Sequence, residues 1–320
     1  MVENAEKAKK VLGRTAKRKI FYALAIALPL LQFAVFYLYA NFNVIIMAFK
    51  SYTYKTVGVG YDVSFAGIEN FKTIFRMLGT DVNYKMIINS VLLMFLRLVL
   101  GTTISLLFSY YVYKKSYGSG FFKVILFLPN IISGLVMVLL FRYIAEDVYK
   151  AVFKVELGLL SNINTRLVTV IVYNLFLGFA AQILMYSSAM SGIDESIVES
   201  SKIDGATPVK EFFHITIPSI YPTIVSFIIM GIATCFTDQM ALFTFYYYNA
   251  DPSIQTVGYY LYIQSLDSDI IPKSPWNPLI RNSRISYSQI SAFGFMIAVV
   301  MIPFTFLVKH LMEKWGPSVE

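Results

Sequence analysis

Charge is what this sequence has least of. Of its 320 residues only 14% are Asp, Glu, Lys or Arg, against 57% hydrophobic, and the mean hydropathy is +0.62. A water-soluble domain is about 25% charged, so there is too little charge here to cover a surface in water. One cysteine, Cys235, excludes an intrachain disulfide scaffold and says little about redox compartment. Two histidines, His214 and His310, lie far apart, and no Cys/His/Asp cluster has metal-ligand spacing. No G-x-x-x-x-G-K-S/T loop occurs, so ATP is not bound by that device. No internal repeat of fixed period is present. Disorder and collagen-like structure are excluded as well.

What remains is a series of long apolar runs. Lys19 and Lys50 bracket the first, and only Arg97 interrupts between Lys85 and Lys114. Lys123 to Arg142, Arg166 to Asp194, Glu211 to Asp251 (with Asp238 inside) and Arg284 to Lys309 bracket four more. A helix crossing a bilayer needs about 20 apolar residues. Period-two alternation is absent, which selects helices over barrel strands. The expectation is an all-α integral membrane protein with six transmembrane helices over 20–312. A basic segment, 1–19, precedes them and a short tail, 313–320, follows.

Basic residues near the spans give the orientation. Lys7, Lys9, Lys10, Arg14, Lys17, Arg18 and Lys19 precede the first span, Lys114, Lys115 and Lys123 follow the second, and Lys309 and Lys314 close the chain. Both termini are expected to be cytoplasmic, in a multi-pass protein of the bacterial inner membrane. The first run is too long for a signal-peptide core and lacks a small-residue cleavage site, so no cleavage is expected. The net charge of +8 then reads as contact with anionic lipid headgroups, not nucleic acid.

The loop at 191–217 breaks the charge rule. It carries Asp194, Glu195, Glu199, Asp204 and Glu211 against Lys202 and Lys210, a net negative loop on the positive side. Its chemistry reads as two short helices joined by a glycine. Ser191 and Asp194 have capping-box spacing, and Ile193, Ile197, Val198 and Ser201 form a small apolar face. Gly205 is placed to end the first helix at positive φ. Thr207 then Pro208 is a cap followed by proline at the first helical position, and Pro218 and Pro222 mark the approach to the fifth span. Such an element is either a docking site for a soluble partner or an interfacial hairpin on lipid.

The string VESSKIDGATPVKEFFHITIPSIYP (198–222) resembles the cytoplasmic signature of ABC importer permeases of the type I, binding-protein-dependent class. Glu199, Gly205, Ile215 and Pro218 match in register. Ser200 and Ser201 stand for two alanines and Ile217 for a leucine. Ile203, Asp204, Gly205 and Ala206, with Phe212, Ile215 and Pro218, are similar to the extended form of the carbohydrate branch. FAGIENFKTIF (65–75), NSVLL (89–93), FKVILFLPNIIS (122–133), CFTDQMALF (235–243) and TVGYYLYIQSL (256–266) are similar to other segments of that family.

The resemblance implies a permease fold without catalysis of its own, pairing with a second, similar permease in a heterodimer. It also implies two ATPase subunits, which would carry the ATP-Mg, and an extracytoplasmic solute-binding protein that delivers a sugar or oligosaccharide. The loop would couple pore to ATPase. Glu199, Asp204 and Gly205 would shape it, and Ile203, Ala206 and Val209 would make contacts. Glu199 either pairs with ATPase arginines or caps a local turn.

Inside the spans Asp238 is the most informative residue, because an ionised carboxylate there faces protein or water. Gln239, Phe243 and Tyr246 to Tyr248 beside it suit a sugar's hydroxyls and C–H faces. The competing readings are a structural hydrogen bond for Asp238 and an interfacial aromatic belt for the tyrosines. Arg97 has three readings: pore lining, ion pair with Asp238, or a structural role, which is preferred. Asn174 and Gln182 read as interhelical hydrogen bonds before pathway residues. Pro29, Pro129 and Pro303 read as helix bends. Two other classes stay open: an ion-coupled secondary transporter or channel, and an ABC permease for a non-sugar solute.

Overall fold

The chain is described by a computed structural model over residues 2–54, 61–79, 83–266 and 286–317. Its apolar runs are helical because backbone N–H and C=O groups in hydrocarbon must be satisfied within their own segment. Two compact units are formed, one from residues 1–74 with 286–295 and one from 75–285 with 296–320.

In the first unit α1, Lys17–Ala48, is an apolar helix with none of its most apolar stretch buried by the chain. Leu28 and Phe36 are 74% and 76% exposed. Water would not tolerate such a surface, whereas acyl chains solvate it. After it β1, Lys50–Tyr54, pairs antiparallel with β2, Tyr61–Phe65, with Tyr52 opposite Val63. This ladder departs from the all-α expectation, and it lies outside the long apolar runs. The helix α2, Glu69–Leu78, follows. Buried Asn70 donates to the carbonyls of Ala48 (2.8 Å) and Lys50 (2.9 Å), tying the end of α1 to the start of α2. Phe49, Phe71 and Phe295 stack around that tie, with ring centroids 5.0–6.3 Å apart.

The second unit is built round α6, Arg166–Ser191, which packs most extensively on α3, Tyr84–Tyr113. On α6 the buried positions Val170, Tyr173, Ala180, Ile183, Ser187 and Met190 recur at helical spacing. The α3–α6 contact uses small residues and side-chain amides, as packing between membrane helices favours. Ser105 Oγ donates to Gln182 Oε1 at 3.0 Å, and Ser109 Oγ to the Ile183 carbonyl at 3.1 Å. The interhelical reading of Gln182 is thereby seen directly.

The expected third span is divided. α4, Ser119–Ile131, contains Pro129 and ends at Ile132, whose ψ of 143° is extended; α5, Gly134–Tyr143, starts afresh. Pro129 costs only the bond back to Ile125, since the helix runs on past it to Ile131; the break comes at the extended Ile132, and a count of uncharged residues does not see it. The chain continues through α7, Glu195–Ile203, then α8, Pro208–Ser219, and α9, Tyr221–Ala233, which meet at a bend of 69°. α10, Leu242–Tyr246, and α11, Val257–Leu266, follow. The last helix, α12, is Tyr287–Trp315.

Among the described residues four helices are long and apolar enough to cross a membrane, or five if α8 and α9 form one bent span. The expected number was six. The divided α4–α5 segment accounts for one of the missing spans, and on the count of four the bent α8–α9 pair accounts for the other.

Candidate functional site

The 191–217 loop is two short helices round a glycine, as its sequence suggests. Asp194, not Ser191, caps α7: its carboxylate accepts from the Ser196 N–H at 2.9 Å. That bond holds the Asp194 carboxyl below the usual carboxylate range. The capping-box expectation for Ser191 fails because α6 runs on to Ser191, whose hydroxyl donates back to the Ser187 carbonyl at 2.8 Å. At the other end Gly205 has φ +77°. Its N–H donates to the Lys202 carbonyl, and the Ala206 N–H to that of Ser201. These are the paired bonds of a glycine-ended helix that turns back on itself. A Cβ on Gly205 would meet nothing within 4 Å, so backbone conformation and not space demands glycine. Thr207 then caps α8 by accepting from the Lys210 N–H at 3.4 Å, with Pro208 at the first turn.

One face of this element is buried and one is bare. Val198 and Ser201 face inward, and Ser201 Oγ donates to the Val198 carbonyl at 2.8 Å. Ile203 is 87% exposed and Val209 66%. Glu199, Ser200 and Asp204 are exposed, and Ala206 is half-buried. Ile197 lies on the outer face, 50% exposed, not with Val198 as expected. Ile215 and Pro218 are half-buried on α8. Beneath the loop Tyr186, Met190, Phe212, Ile220 and Ile224 form a buried cluster, with Tyr110, Tyr113 and Ile193 packed against it.

Sequence reasoning missed what bolts the loop down. Glu211, on α8, has a side chain only 4% exposed and is ion-paired with Lys114 at the end of α3. Lys114 Nζ also lies 5.5 Å from the ring centroids of both Tyr110 and Tyr113. The Tyr110 hydroxyl donates to the Pro208 carbonyl at 3.0 Å. The partners are 97 residues apart, and no local pattern marks them.

The second constellation lies within the apolar part of the unit. Arg97 Nη1 and Asp238 Oδ2 are 2.6 Å apart, both about one-third exposed. Of the three readings of Arg97 the ion pair is the one observed. The other Asp238 oxygen accepts from the Met240 N–H at 2.8 Å. Asn174 Nδ2 donates to the carbonyls of Val170 (2.8 Å), on its own helix, and Met240 (3.0 Å), in a turn, so it ties α6 to a non-helical segment and not, as expected, to another helix.

Met240, Ala241 and Tyr247 all have positive φ, a conformation costing a side-chain-bearing residue about 1–3 kcal/mol. It persists because its surroundings fix it. Tyr259 Oη donates to the Tyr247 carbonyl at 2.8 Å and accepts from the Ala250 N–H at 3.1 Å. A Cβ on Gly258 would lie 2.5 Å from the Asp238 carbonyl oxygen, so α11 presses its backbone against this segment. Asn89 and Ser90, from the NSVLL string, brace α11 from α3. Asn89 Nδ2 donates to the Ser253 (2.8 Å) and Gln255 (3.1 Å) carbonyls, and Ser90 Oγ accepts from the Val257 N–H at 3.0 Å.

The three tyrosines do not behave as one belt. Tyr246 Oη donates to the Leu160 carbonyl at 3.0 Å, Tyr248 is buried, and Tyr247 is 59% exposed. Phe243 is half-buried against Tyr247, Tyr248 and Tyr262. Gln239 is half-buried, and among the described residues its amide makes no hydrogen bond. Among the described residues no group of three His, Cys, Asp or Glu side chains could hold a metal ion.

Comparison with known proteins follows the same lines. The chain is 29% identical over 225 residues to the multiple sugar-binding transport system permease protein MsmF of Streptococcus mutans, covering 68% of this chain and 75% of the relative. It is 25% identical over 246 residues to the arabinooligosaccharides transport system permease protein AraP of Bacillus subtilis, 74% of this chain and 75% of that one. In fold it matches a chain of the bacterial alginate ABC transporter crystallised with an alginate pentasaccharide-bound periplasmic protein. That match has a TM-score of 0.71 at 19% identity, over 94% of this chain and 96% of that one. The family model for the inner membrane component of binding-protein-dependent transport systems matches residues 98–319. Both constellations fall largely within that range, and the chain belongs to this family.

Proposed function

We propose that this chain is the permease subunit of an ABC importer for a sugar or oligosaccharide. It would form half of a translocation pathway with a second, similar permease. The 191–217 loop would face the cytoplasm, with both termini, and dock on a separate ATPase subunit that holds the ATP-Mg, one of two. A solute-binding protein would deliver substrate on the opposite side. The carrying observation is the bare face of Ile203 and Val209 on a loop with capped ends and a buried base. Large apolar side chains held outward on a rigid support suit a protein partner. The names of the sugar-permease relatives favour a carbohydrate over another solute.

For the pathway, the hydrogen-bonding groups of Asp238, Asn174, Arg97 and Tyr246 are engaged within the chain. Gln239 and Phe243, with the exposed Tyr247, are the groups left for a substrate; the first four would position them. An amide next to aromatic faces fits hydroxyls and C–H faces of a sugar ring.

The test is to tag the chain, solubilise native membranes gently and identify co-purifying proteins by mass spectrometry. Reconstituted complex is then given a panel of radiolabelled oligosaccharides. An ATPase and a second permease, with uptake that stops when ATP is withheld, support the proposal. The chain alone, with uptake driven by an ion gradient, would refute it.

A further inference from the structure

The bare face of the loop explains docking but not how a push on that face reaches the spans. We propose that the Lys114–Glu211 pair is the link by which movement of the docking loop is passed to α3, making both of them positioning residues for transport. This rests on the reading of 191–217 as an ATPase-docking loop.

The geometry has three parts. First, Glu211 sits three residues after Pro208, close to exposed Val209, and its carboxylate is almost fully buried. A buried carboxylate is tolerated only while it is paired. The cluster of Phe212, Tyr186 and Ile220 beneath the loop is held by attraction that has no preferred direction. The ion pair cannot slip without leaving a buried charge alone. It therefore fixes one placement of α8 on α3.

Second, the pair is closed in. The rings of Tyr110 and Tyr113 both lie 5.5 Å from Lys114 Nζ. The Tyr110 hydroxyl holds the Pro208 carbonyl at 3.0 Å, a second fixed bond between the same two elements. Third, α3 runs on from this clamp to Arg97, about 25 Å away at 1.5 Å per residue, where it grips Asp238. Displacement of α8 thus has a continuous helical path to the ion pair beside the strained 240–247 segment.

The test uses the complex purified through a tag on this chain, with spin labels at Tyr117→Cys and Trp315→Cys. Tyr117 is fully exposed and Trp315 is 78% exposed, while native Cys235 is buried and escapes labelling. The probe is MgATP with orthovanadate, read as a shift in the inter-label distance. The native pair is expected to give a shift. Glu211→Gln should keep the ATPase bound and hydrolysing within twofold of native while the shift is lost. The reversed pair, Lys114→Glu with Glu211→Lys, should restore it.

Should Glu211→Gln fail to reach the membrane, the uncharged pair Glu211→Gln with Lys114→Met, which strands no buried charge, serves in its place. An undiminished shift in the variant that lacks the pair would overturn the proposal. So would loss of the co-purifying ATPase, which would make the pair a mere support for the docking face. If the native chain itself retains no ATPase, the docking reading fails first and this inference with it.

Discussion

The Arg97 guanidinium and the Asp238 carboxylate meet at 2.6 Å across 141 residues of sequence. Each accounts for the other's presence in an apolar segment, because a lone charge there would be costly to bury. Asp238 also accepts from the Met240 N–H, so the pair fixes the positive-φ turn that follows. Removing one partner strands the other. Asp238→Ala should lower stability in detergent by about 1–2 kcal/mol, less than for a fully buried pair because each side chain is one-third exposed. Uptake should fall with it. Replacing both, as Arg97→Met with Asp238→Leu, should recover most of the thermal stability. A thermal melt of the three variants checks this; equal losses in the single and double variants would contradict the pairing.

Gly205 supplies a second expectation. Since a Cβ there meets nothing, the penalty for substitution is conformational, about 1–2 kcal/mol for a side chain in the left-handed region. Asn, which tolerates that region, should be mildest, Ala intermediate and the β-branched Val worst. All three should reach the membrane. ATPase co-purification should decline in the order Gly, Asn, Ala, Val. A flat series would show that the turn does not matter for docking.

Gly258 should behave in the opposite way. A methyl group there collides with the Asp238 carbonyl at 2.5 Å, backbone against backbone, so Gly258→Ala should cost upwards of about 2 kcal/mol. Gly178, inside α6 with open space around it, is the control. Gly178→Ala should be neutral or stabilising by up to about 1 kcal/mol. Melting temperatures of the two purified variants decide it.

Much of this was legible in the sequence, and the limits are physical. The apolar runs, the glycine-ended turn, the Thr207–Pro208 start and the interhelical role of Gln182 all follow from local chemistry. The division at Ile132 did not, because counting uncharged residues is blind to a backbone that leaves the helix. Asp194 reads as lying near a helix start, but local sequence points to Ser191 for the cap because nothing local shows that α6 continues through Ser191. Lys114 and Glu211 read as loop charges, since burial of a single carboxylate is a tertiary fact. Asn89 and Ser90 read only as part of a resemblance; their work is to hold carbonyls and an amide 164 to 167 residues further on.

Acid should act on the docking loop through Asp194. Its carboxyl lies below the ordinary value of 3.8 because the charged form accepts from Ser196. A carboxylate so depressed contributes stability that is fully present above its unfolded pKa and is lost as pH falls through the lower folded value. The difference in melting temperature between the native chain and Asp194→Asn should be constant from pH 7 down to about 4 and shrink below that. A difference that grows on acidification would contradict the cap.

Coupling depends on what the 191–217 loop touches. Its most direct test is a photo-crosslinking amino acid at Ile203, 87% exposed, with Val198, 6% exposed, as the inward-facing control. On irradiation of intact membranes the Ile203 probe should capture an ATPase subunit and the Val198 probe should not. Capture of lipid alone at Ile203 would mean that the loop lies on the membrane and that coupling runs elsewhere.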